Sequence, residues 1–234
     1  CGSYASSTTY VTGMAVVKTC ETLRKKICER GAEYLGCSPD DVEFDGEKVV
    51  NLKTKEEITR KEIGNKVMCS SNAPLSATEA FSSPVSPPPF MVGIAEVEID
   101  KETGVVEPID YAAVVDCGTV VNPNLARVQT EGGIAQGIGM ALYEDIIYSE
   151  KGKNYSNSFM QYKIPSRLDV GEIRVEFESS YEPTGPFGAK SIGEIVINTP
   201  SPAISNAVQN AVGVIVRELP ITAEKVYKGM AEKE

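Results

Sequence analysis

The 234-residue sequence contains no histidine. This absence excludes a histidine general base, a Ser-His-Asp triad and a histidine-ligated metal site. Any acid–base chemistry must therefore come from carboxylates, lysine, tyrosine or cysteine. Cysteines occur at positions 1, 20, 28, 37, 69 and 117, and no two of them are separated by only two residues. Their spacing excludes the usual zinc and iron–sulfur motifs.

Long apolar runs and basic clusters are also missing. No apolar stretch approaches the roughly 18 residues of a membrane span, and the N-terminus lacks the pattern of a signal peptide. A net charge of −10 without a basic cluster argues against a nucleic-acid surface, because phosphate neutralisation needs clustered lysine and arginine. We expect a cytoplasmic protein with neither a membrane nor a nucleic-acid partner. The chain opens with Cys1 and not Met, which suggests a processed product or a piece of a longer polypeptide.

Hairpin signals mixed with helix signals, without an internal repeat, predict an α+β fold. The Ser-, Ala- and Pro-rich stretch 70–89 predicts an extended segment that divides the chain into subdomains 1–89 and 90–234. We predict helices over 10–35 and 59–67, from 123, over 203–212 and after Thr222, and strands over 42–44, 48–50, 91–99, 105–115, 143–148, 155–162, 173–179 and 214–219. The candidate buried face of the first helix comprises Val11, Met14, Ala15, Val17, Leu23, Ile27 and Tyr34.

Hydroxyl side chains crowd the segment directly ahead of the first helix. Five of the seven residues from Ser3 to Thr9 are Ser or Thr. Hydroxyls and free backbone N–H groups at a helix N-terminus can hold a phosphate or a similar anion. An ordinary Ser/Thr helix cap is the alternative, although this run exceeds what capping needs.

The helix beginning at Pro123, with Asn122 as its predicted cap, contains four glycines between positions 132 and 139. Each costs about 1 kcal/mol relative to alanine in a helix interior. Such glycines mark either close backbone packing or a ligand laid against the helix. If a ligand lies against the helix, the side-chain amides of Gln129 and Gln136 could bind a polar cofactor. If the glycines serve only helix packing, these amides are solvated.

The Gly-rich loop 185–194 delivers a carboxylate, Glu194, directly after Gly193. Glycines let the backbone turn sharply and approach a ligand closely. An apolar segment follows at once, so we expect Glu194 to lie partly buried between loop and core. Partial burial would raise the pKa of this carboxyl group, and a carboxylate with a raised pKa is a candidate general base. An exposed Glu beside a turn is the alternative.

Five separated stretches, in their order and approximate spacing, resemble the C-terminal half of the molybdenum-binding part of the molybdenum hydroxylases, the xanthine dehydrogenase and aldehyde oxidoreductase family. Gly-rich motifs are weak singly, but the ordered set is specific. The stretches are Ser3 to Val16, Asp116-Cys117-Gly118 with Asn122-Pro123, Gln129 to Gly139, Tyr162-Lys163-Ile164-Pro165, and Gly188 to Glu194.

The resemblance implies a molybdopterin cofactor, with the molybdenum held through the pterin and not by protein side chains. It places Ser3, Ala5, Ser6, Ser7 and Thr8 in the loop around the pterin and its phosphates. It places Gln129 near the metal ligands, and Gly193 and Glu194 beside the metal, with Glu194 as the catalytic base. The implied reaction is hydroxylation of an electron-poor carbon, in an N-heterocycle such as nicotinate or a purine or in an aldehyde, with water as the oxygen source.

The extent of the chain departs from the family. This sequence lacks the half that carries the other cofactor loop. It also lacks the cysteines of the iron–sulfur (2Fe-2S) clusters and a flavin domain. The chain therefore looks like the medium molybdopterin subunit of a nicotinate-dehydrogenase-like split enzyme, or a fragment of a longer chain. The expected partners are the other half of the molybdenum-binding part and iron–sulfur and FAD subunits, with the cofactor in its cytosine dinucleotide form. The alternative is a non-catalytic structural subunit that braces a catalytic partner.

Overall fold

A computed structural model describes residues 3–70 and 74–232; Cys1, Gly2 and residues 71–73 and 233–234 lie outside the described residues. The chain divides into a small compact unit, Val11–Pro84, and a large one formed by Cys1–Tyr10 and Val85–Glu234. This division differs from the predicted boundary at 89/90, since the first ten residues belong with the C-terminal part. The Ser/Thr-rich loop and the Glu194 loop therefore lie in the same unit. Mixed helices and sheets confirm the α+β class.

The small unit packs two helices on a three-stranded antiparallel sheet of order β1-β2-β3. Its elements are α1 (Gly13–Leu35), β1 (Val42–Phe44), β2 (Lys48–Asn51), β3 (Glu57–Thr59) and α2 (Arg60–Met68). The buried core comprises Val49, Ile58, Ile63 and Val67. A capping box between Thr59 and Glu62 begins α2, and Gly36 ends α1 with a left-handed φ of 66°.

The predicted buried face of α1 is only partly buried: Ile27 and Tyr34 pack against the core of the small unit, but Gly31 and Ala32 are the residues of this helix that are fully buried. Strands of three or four residues extend only about 10–13 Å, whereas a helix of 23 residues extends about 35 Å. The small sheet therefore covers only part of α1. At Gly31 an added Cβ would lie 2.7 Å from Val49, so backbone and sheet meet there directly.

The large unit packs helices against one face of a second three-stranded sheet of order β4-β5-β6, in which β5 pairs antiparallel with β4 and parallel with β6. Its elements are β4 (Phe90–Ile99), β5 (Val106–Asp116), α3 (Pro123–Leu142), β6 (Glu172–Phe177), α4 (Ile195–Asn198), α5 (Pro200–Val212) and α6 (Ala223–Ala231). The core lies between the sheet and the helices and includes Tyr111, Val115, Ile134, Ile138, Ile204 and Val208.

Two sets of predicted strands are wrong, and β3 was not predicted. The segment 143–162 contains one isolated bridge, Tyr148 to Asn154, because neighbouring Ser and Asn side chains take up its backbone groups locally. The segment 214–219 is irregular: Val214 packs against Gly229 of α6, where an added Cβ would lie 2.5 Å away. Apolar composition alone does not supply the neighbouring strand that a sheet requires.

The described ranges contain no helix that is both long and apolar enough to cross a membrane. In the same ranges no three His, Cys, Asp or Glu side chains come together in an arrangement suited to a metal ion.

Candidate cofactor-binding and active site

One cleft of the large unit brings together six of the eight residues predicted for the site. The cleft has a volume of about 540 Å³, and its walls are the N-terminal loop, one side of α3 and the residues just before α4. The predicted residues that line it are Ser3, Ser6, Thr8, Gln129, Gly193 and Glu194. Ala5 and Ser7 belong to the same loop but do not line the cleft. Gln136, the second candidate amide of α3, lines it as well.

Gly193 is the point at which the N-terminal loop, α3 and the Glu194 loop meet. A Cβ built on Gly193 would lie 2.6 Å from Oγ of Ser6 and 3.8 Å from Nε2 of Gln129. A side chain at position 193 would force the Ser6 hydroxyl to move, so glycine permits the observed approach. Three stretches widely separated in sequence therefore converge within a few ångströms of Glu194.

The N-terminal loop has a strained backbone, with Ala5 at φ 49° and Ser6 at φ 54° inside a 3-10 turn over Tyr4–Ser6. Left-handed conformations of residues other than glycine are uncommon and cluster at functional sites. The Ser6 N–H donates to the carbonyl of Ser3 at 3.2 Å, and the Ser7 N–H donates to Tyr4 at 3.1 Å. These two amides are thus used within the loop.

The hydroxyl run does not act as an ordinary helix cap. A π-helical turn, Thr8–Thr12, leads into α1, and its last residue, Thr12, is the N-cap but makes no side-chain capping hydrogen bond. The loop is instead fixed to the large unit through Tyr10, whose hydroxyl is 2.6 Å from Oγ1 of Thr184. The Ser and Thr hydroxyls at the cleft are therefore not required for capping.

The glycines of α3 differ in their surroundings. A Cβ on Gly133 would lie 2.2 Å from Cγ2 of Val196, and one on Gly137 would lie 2.6 Å from Cγ of Pro200. These two glycines let α4 and the start of α5 pack tightly on α3. Gly132 differs, because a Cβ there would meet nothing within 4 Å and would project into the cleft. Close packing explains Gly133 and Gly137, whereas Gly132 leaves the backbone of α3 open to the cleft.

Glu194 is exposed, so the predicted partial burial of its side chain is wrong for the described chain. It is the residue that directly precedes α4, and it makes no side-chain capping hydrogen bond. Two residues later, Val196 is fully buried in the notch at Gly133. The packing of Val196 holds the backbone and leaves the carboxylate of Glu194 at the cleft.

A buried ion pair, which the sequence did not reveal, anchors the loop that carries Glu194. Lys190 is 7% exposed, and its Nζ lies 2.7 Å from Oδ2 of Asp116 at the end of β5. The same ammonium lies 5.4 Å from the centre of the Phe90 ring. The only sequence signal is one lysine among the otherwise uncharged residues 185–193, and nothing in the spacing points to its partner.

Backbone hydrogen bonds also attach the Glu194 loop to the end of β5. The Lys190 N–H donates to the carbonyl of Cys117 at 2.8 Å, and the Thr119 N–H donates to Gly188 at 2.8 Å. The Glu194 loop is thus attached to the end of β5 by main chain and side chain together. This attachment brings the Asp116-Cys117-Gly118 and Gly188–Glu194 stretches into contact.

The electrostatics of this anchor favour an ionised Asp116 and a neutral Cys117. Burial alone would raise the pKa of Asp116, but hydrogen bonds from Lys190, Ser180 and the Gly118 N–H outweigh it, so the pKa lies below its ordinary value. Burial raises the pKa of the Cys117 thiol, and the neighbouring Asp116 carboxylate raises it further. Cys117 therefore stays protonated at neutral pH.

Comparison with known proteins assigns the chain to a family. Residues 1–171, most of the chain, match the family model described as the molybdopterin cofactor-binding domain. The chain belongs to this family. The match includes the N-terminal loop and α3, which form two walls of the cleft.

Curated relatives and a solved structure agree with this assignment. The chain is 36% identical over 98% of its length to the probable hypoxanthine oxidase XdhD of Escherichia coli strain K12, of which it covers 24%. It is 31% identical over 97% of its length to the gamma subunit of the 6-hydroxypseudooxynicotine dehydrogenase complex of Paenarthrobacter nicotinovorans, of which it covers 30%. The chain therefore spans only about a quarter to a third of these relatives.

The fold is shared with a crystal structure of the Cu,Mo-CO dehydrogenase in its carbon monoxide reduced state. The TM-score is 0.81 at 24% identity, over 94% of this chain and 29% of that one. This likeness supports the architecture described above.

The residues at the cleft fit a molybdopterin cofactor. Hydroxyls of Ser3, Ser6 and Thr8 and the amide of Gln129 offer hydrogen bonds to a pterin and its phosphate, and Gly132 presents bare backbone for close approach. Among the described residues that line the cleft, Glu194 is the only ionisable one. The donor set thus suits an organic cofactor that brings its own metal ligands.

Proposed function

We propose that this chain is the molybdopterin-binding subunit of a molybdenum hydroxylase that hydroxylates an electron-poor carbon with oxygen from water. The single observation that carries the proposal is the convergence of Ser6, Gln129 and Gly193 beside Glu194 in one cleft of a molybdopterin-binding domain. Packing of a structural subunit does not require an exposed carboxylate at a cleft lined by hydroxyl and amide groups.

Each residue has a distinct part in the proposal. Hydroxyls of Ser3, Ser6 and Thr8 hold the pterin and its phosphates, while the left-handed conformations of Ala5 and Ser6 and the hydrogen bond from the Ser7 N–H to Tyr4 shape the loop. Gln129 donates an amide hydrogen bond to the cofactor. Gly193 leaves room for the contact between the Glu194 loop and Ser6.

Glu194 acts as the general base. The cofactor, when bound, supplies the two-electron redox chemistry and the site at which oxygen derived from water is activated. An Oε atom of Glu194 accepts the proton that this oxygen must lose before it attacks the substrate carbon. Nothing in the described chain holds the carboxylate in another role, since it makes no capping hydrogen bond.

The substrate we propose is a small N-heterocycle such as nicotinate or a purine, or an aldehyde. The names of the two relatives, a probable hypoxanthine oxidase and a subunit of a 6-hydroxypseudooxynicotine dehydrogenase complex, support this class. We further propose a cytoplasmic hetero-oligomer in which a second polypeptide completes the molybdenum-binding part. Iron–sulfur and FAD subunits would then carry the electrons away from the substrate.

Metal and nucleotide analysis of the assembled complex tests the cofactor assignment. The complex is purified through a tag on this chain, molybdenum is measured by mass spectrometry, and the nucleotide released by acid is identified by chromatography. We expect equimolar molybdenum and cytosine monophosphate per copy of the chain. A complex free of molybdenum would contradict the proposed function, and molybdenum without cytosine nucleotide would contradict the dinucleotide form alone.

A further inference from the structure

The sheet of the large unit has a second, exposed face, which carries apolar side chains along β4 and β5 and charged side chains, Glu172, Arg174 and Glu176, on β6. Its inner face packs on α3 and α5, with Tyr111, Ala113 and Val115 buried. On the outer face Val92 is 66% exposed, Ile94 is 67% exposed and Val114 is 47% exposed. Sheets with apolar side chains on both faces are typical of strands that are covered on both sides.

These side chains form one continuous surface. Val92 lies opposite Val114 and Ile94 lies opposite Ala112 in the β4–β5 ladder, and Phe90 extends the row at the start of β4. We call Phe90, Val92, Ile94, Ala112 and Val114 the apolar stripe. Three residues of the stripe lie in β4, which is an edge strand of the described sheet. Phe90 also lies over the ammonium of Lys190, so the stripe adjoins the loop that carries Glu194.

An acidic rim flanks the apolar stripe on the same face. Farther along the ladder Glu96 lies opposite Asp110 and Glu98 lies opposite Glu107. Like charges directly opposite each other destabilise a sheet. Arg174 pairs with Asp110, but in the described parts of the chain neither Glu98 nor Glu107 forms an ion pair with a basic side chain. A partner that covers the stripe would relieve this repulsion if it carried lysine or arginine.

We propose that the apolar stripe is the docking surface for a second chain, namely the polypeptide that supplies the remaining part of the molybdenum-binding subunit. This inference rests on the proposed split-enzyme function. The relatives are three to four times longer than this chain, since it covers 24–30% of them, so most of the polypeptide that accompanies this fold in them lies outside it. The occupant presents apolar side chains to the stripe and basic side chains to Glu98 and Glu107.

Site-specific cross-linking in the assembled complex identifies the occupant. A photoreactive p-benzoylphenylalanine replaces Val92 in one variant and Leu52 in a control variant. Leu52 is an aliphatic residue, 47% exposed, in the turn between β2 and β3 of the small unit. We expect the probe at position 92 to cross-link to a peptide that aligns with the relatives outside the part this chain covers. No cross-link at position 92, or one to a second copy of this chain or to an iron–sulfur or flavin subunit, would overturn the proposal.

A second pair of variants measures the strength of docking. Val92→Glu places a carboxylate in the stripe beside the acidic rim, and Leu52→Glu makes the same change on the small unit. Because both positions are on the surface, both variants should keep the circular dichroism spectrum of the wild type. We expect Val92→Glu to reduce the co-purified second chain at least about tenfold, since a buried unpaired charge is costly. We expect Leu52→Glu to retain it in full.

Failure of the docking proposal and failure of the proposed function give different results. If Val92→Glu retains the second chain at wild-type stoichiometry in a complex that contains molybdenum, the docking surface is wrong and the function stands. If the wild-type complex assembles through position 92 but contains no molybdenum, the function is wrong and the docking surface stands.

Discussion

Lys190 and Asp116 are 74 residues apart in sequence and form a salt bridge of 2.7 Å that ties the Glu194 loop to the end of β5. The lysine side chain is almost fully buried and the aspartate is 19% exposed. Ser180 donates a second hydrogen bond to the carboxylate at 2.6 Å, and the Gly118 N–H donates a third at 2.9 Å. The position of the proposed base therefore depends on a pair of charges outside the cleft.

Removal of Lys190 should destabilise the protein strongly. Lys190→Met leaves the Asp116 carboxylate partly buried without its counter-ion, and such a change costs about 2–4 kcal/mol, as measured by urea unfolding. Lys228→Met is the matched control, because Lys228 pairs with Glu224 on an exposed helix surface and should show no measurable change. Equal stability of the two variants would contradict the anchoring role of Lys190.

The ion pair also predicts a pH dependence of stability. Since the folded-state pKa of Asp116 lies below its ordinary value of 3.8, the carboxylate stabilises the fold above that value. This contribution is lost as the pH falls through the folded-state pKa. The stability difference between wild type and Asp116→Asn should thus be largest at neutral pH and shrink below about pH 4. A difference that stays constant from neutral to acid pH would show that the charge of Asp116 does not matter.

Much of the fold could be predicted because its signals are local. Thr59 with Glu62 marks the start of α2, and Asn122 with Pro123 marks the start of α3. The segments 143–162 and 214–219 were predicted as strands from composition, but a strand also needs a neighbour, which composition does not specify. The same limit explains why the short strand β3 was missed.

The candidate site could be predicted in part. The family resemblance identifies the three stretches that converge at Gly193. Their mutual contact is seen only in the structure, where Ser6 and Gln129 both lie close to Gly193. An exposed Glu194 was only the alternative prediction, because the apolar run after it suggested burial. Val196 of that run is fully buried in the notch at Gly133, which leaves the carboxylate itself outside the core. The anchor at Lys190 was missed because its partner is distant in sequence.

Two adjacent glycines of α3 offer a matched pair of substitutions. In Gly133→Ala the new methyl group would lie 2.2 Å from Val196, and such overpacking costs about 1–3 kcal/mol. In Gly132→Ala the methyl group meets nothing within 4 Å, so better helix propensity should stabilise the chain by about 0.5–1 kcal/mol. Opposite shifts in melting temperature are expected. A stabilised Gly133→Ala would mean that α4 does not pack on α3 as described.

The hydroxyl of Ser6 should contribute to cofactor retention. It lies at Gly193 and lines the cleft, whereas Ser7 does not. A hydrogen bond to a charged group contributes about 1.5–3 kcal/mol, so Ser6→Ala should weaken retention about 10- to 150-fold. The measurement is molybdenum and pterin content of the assembled complex after extensive dialysis, with Ser7→Ala as the control. Full retention in Ser6→Ala would remove this hydroxyl from the cofactor site.

The most direct measurement is the reductive half-reaction rate of the assembled Glu194→Gln variant, made after its molybdenum content is shown to equal that of the wild type. Glutamine keeps the size and hydrogen bonding of the side chain but cannot accept the proton, and loss of a general base lowers rates about 10²- to 10⁴-fold. Glu131→Gln is the control, because Glu131 pairs with Arg127 on the exposed side of α3 outside the cleft. We predict full cofactor content with a rate lowered by at least about 100-fold in Glu194→Gln and an unchanged rate in Glu131→Gln. A Glu194→Gln rate within a few-fold of wild type would contradict the assignment of Glu194 as the catalytic base and favour a structural role for the chain.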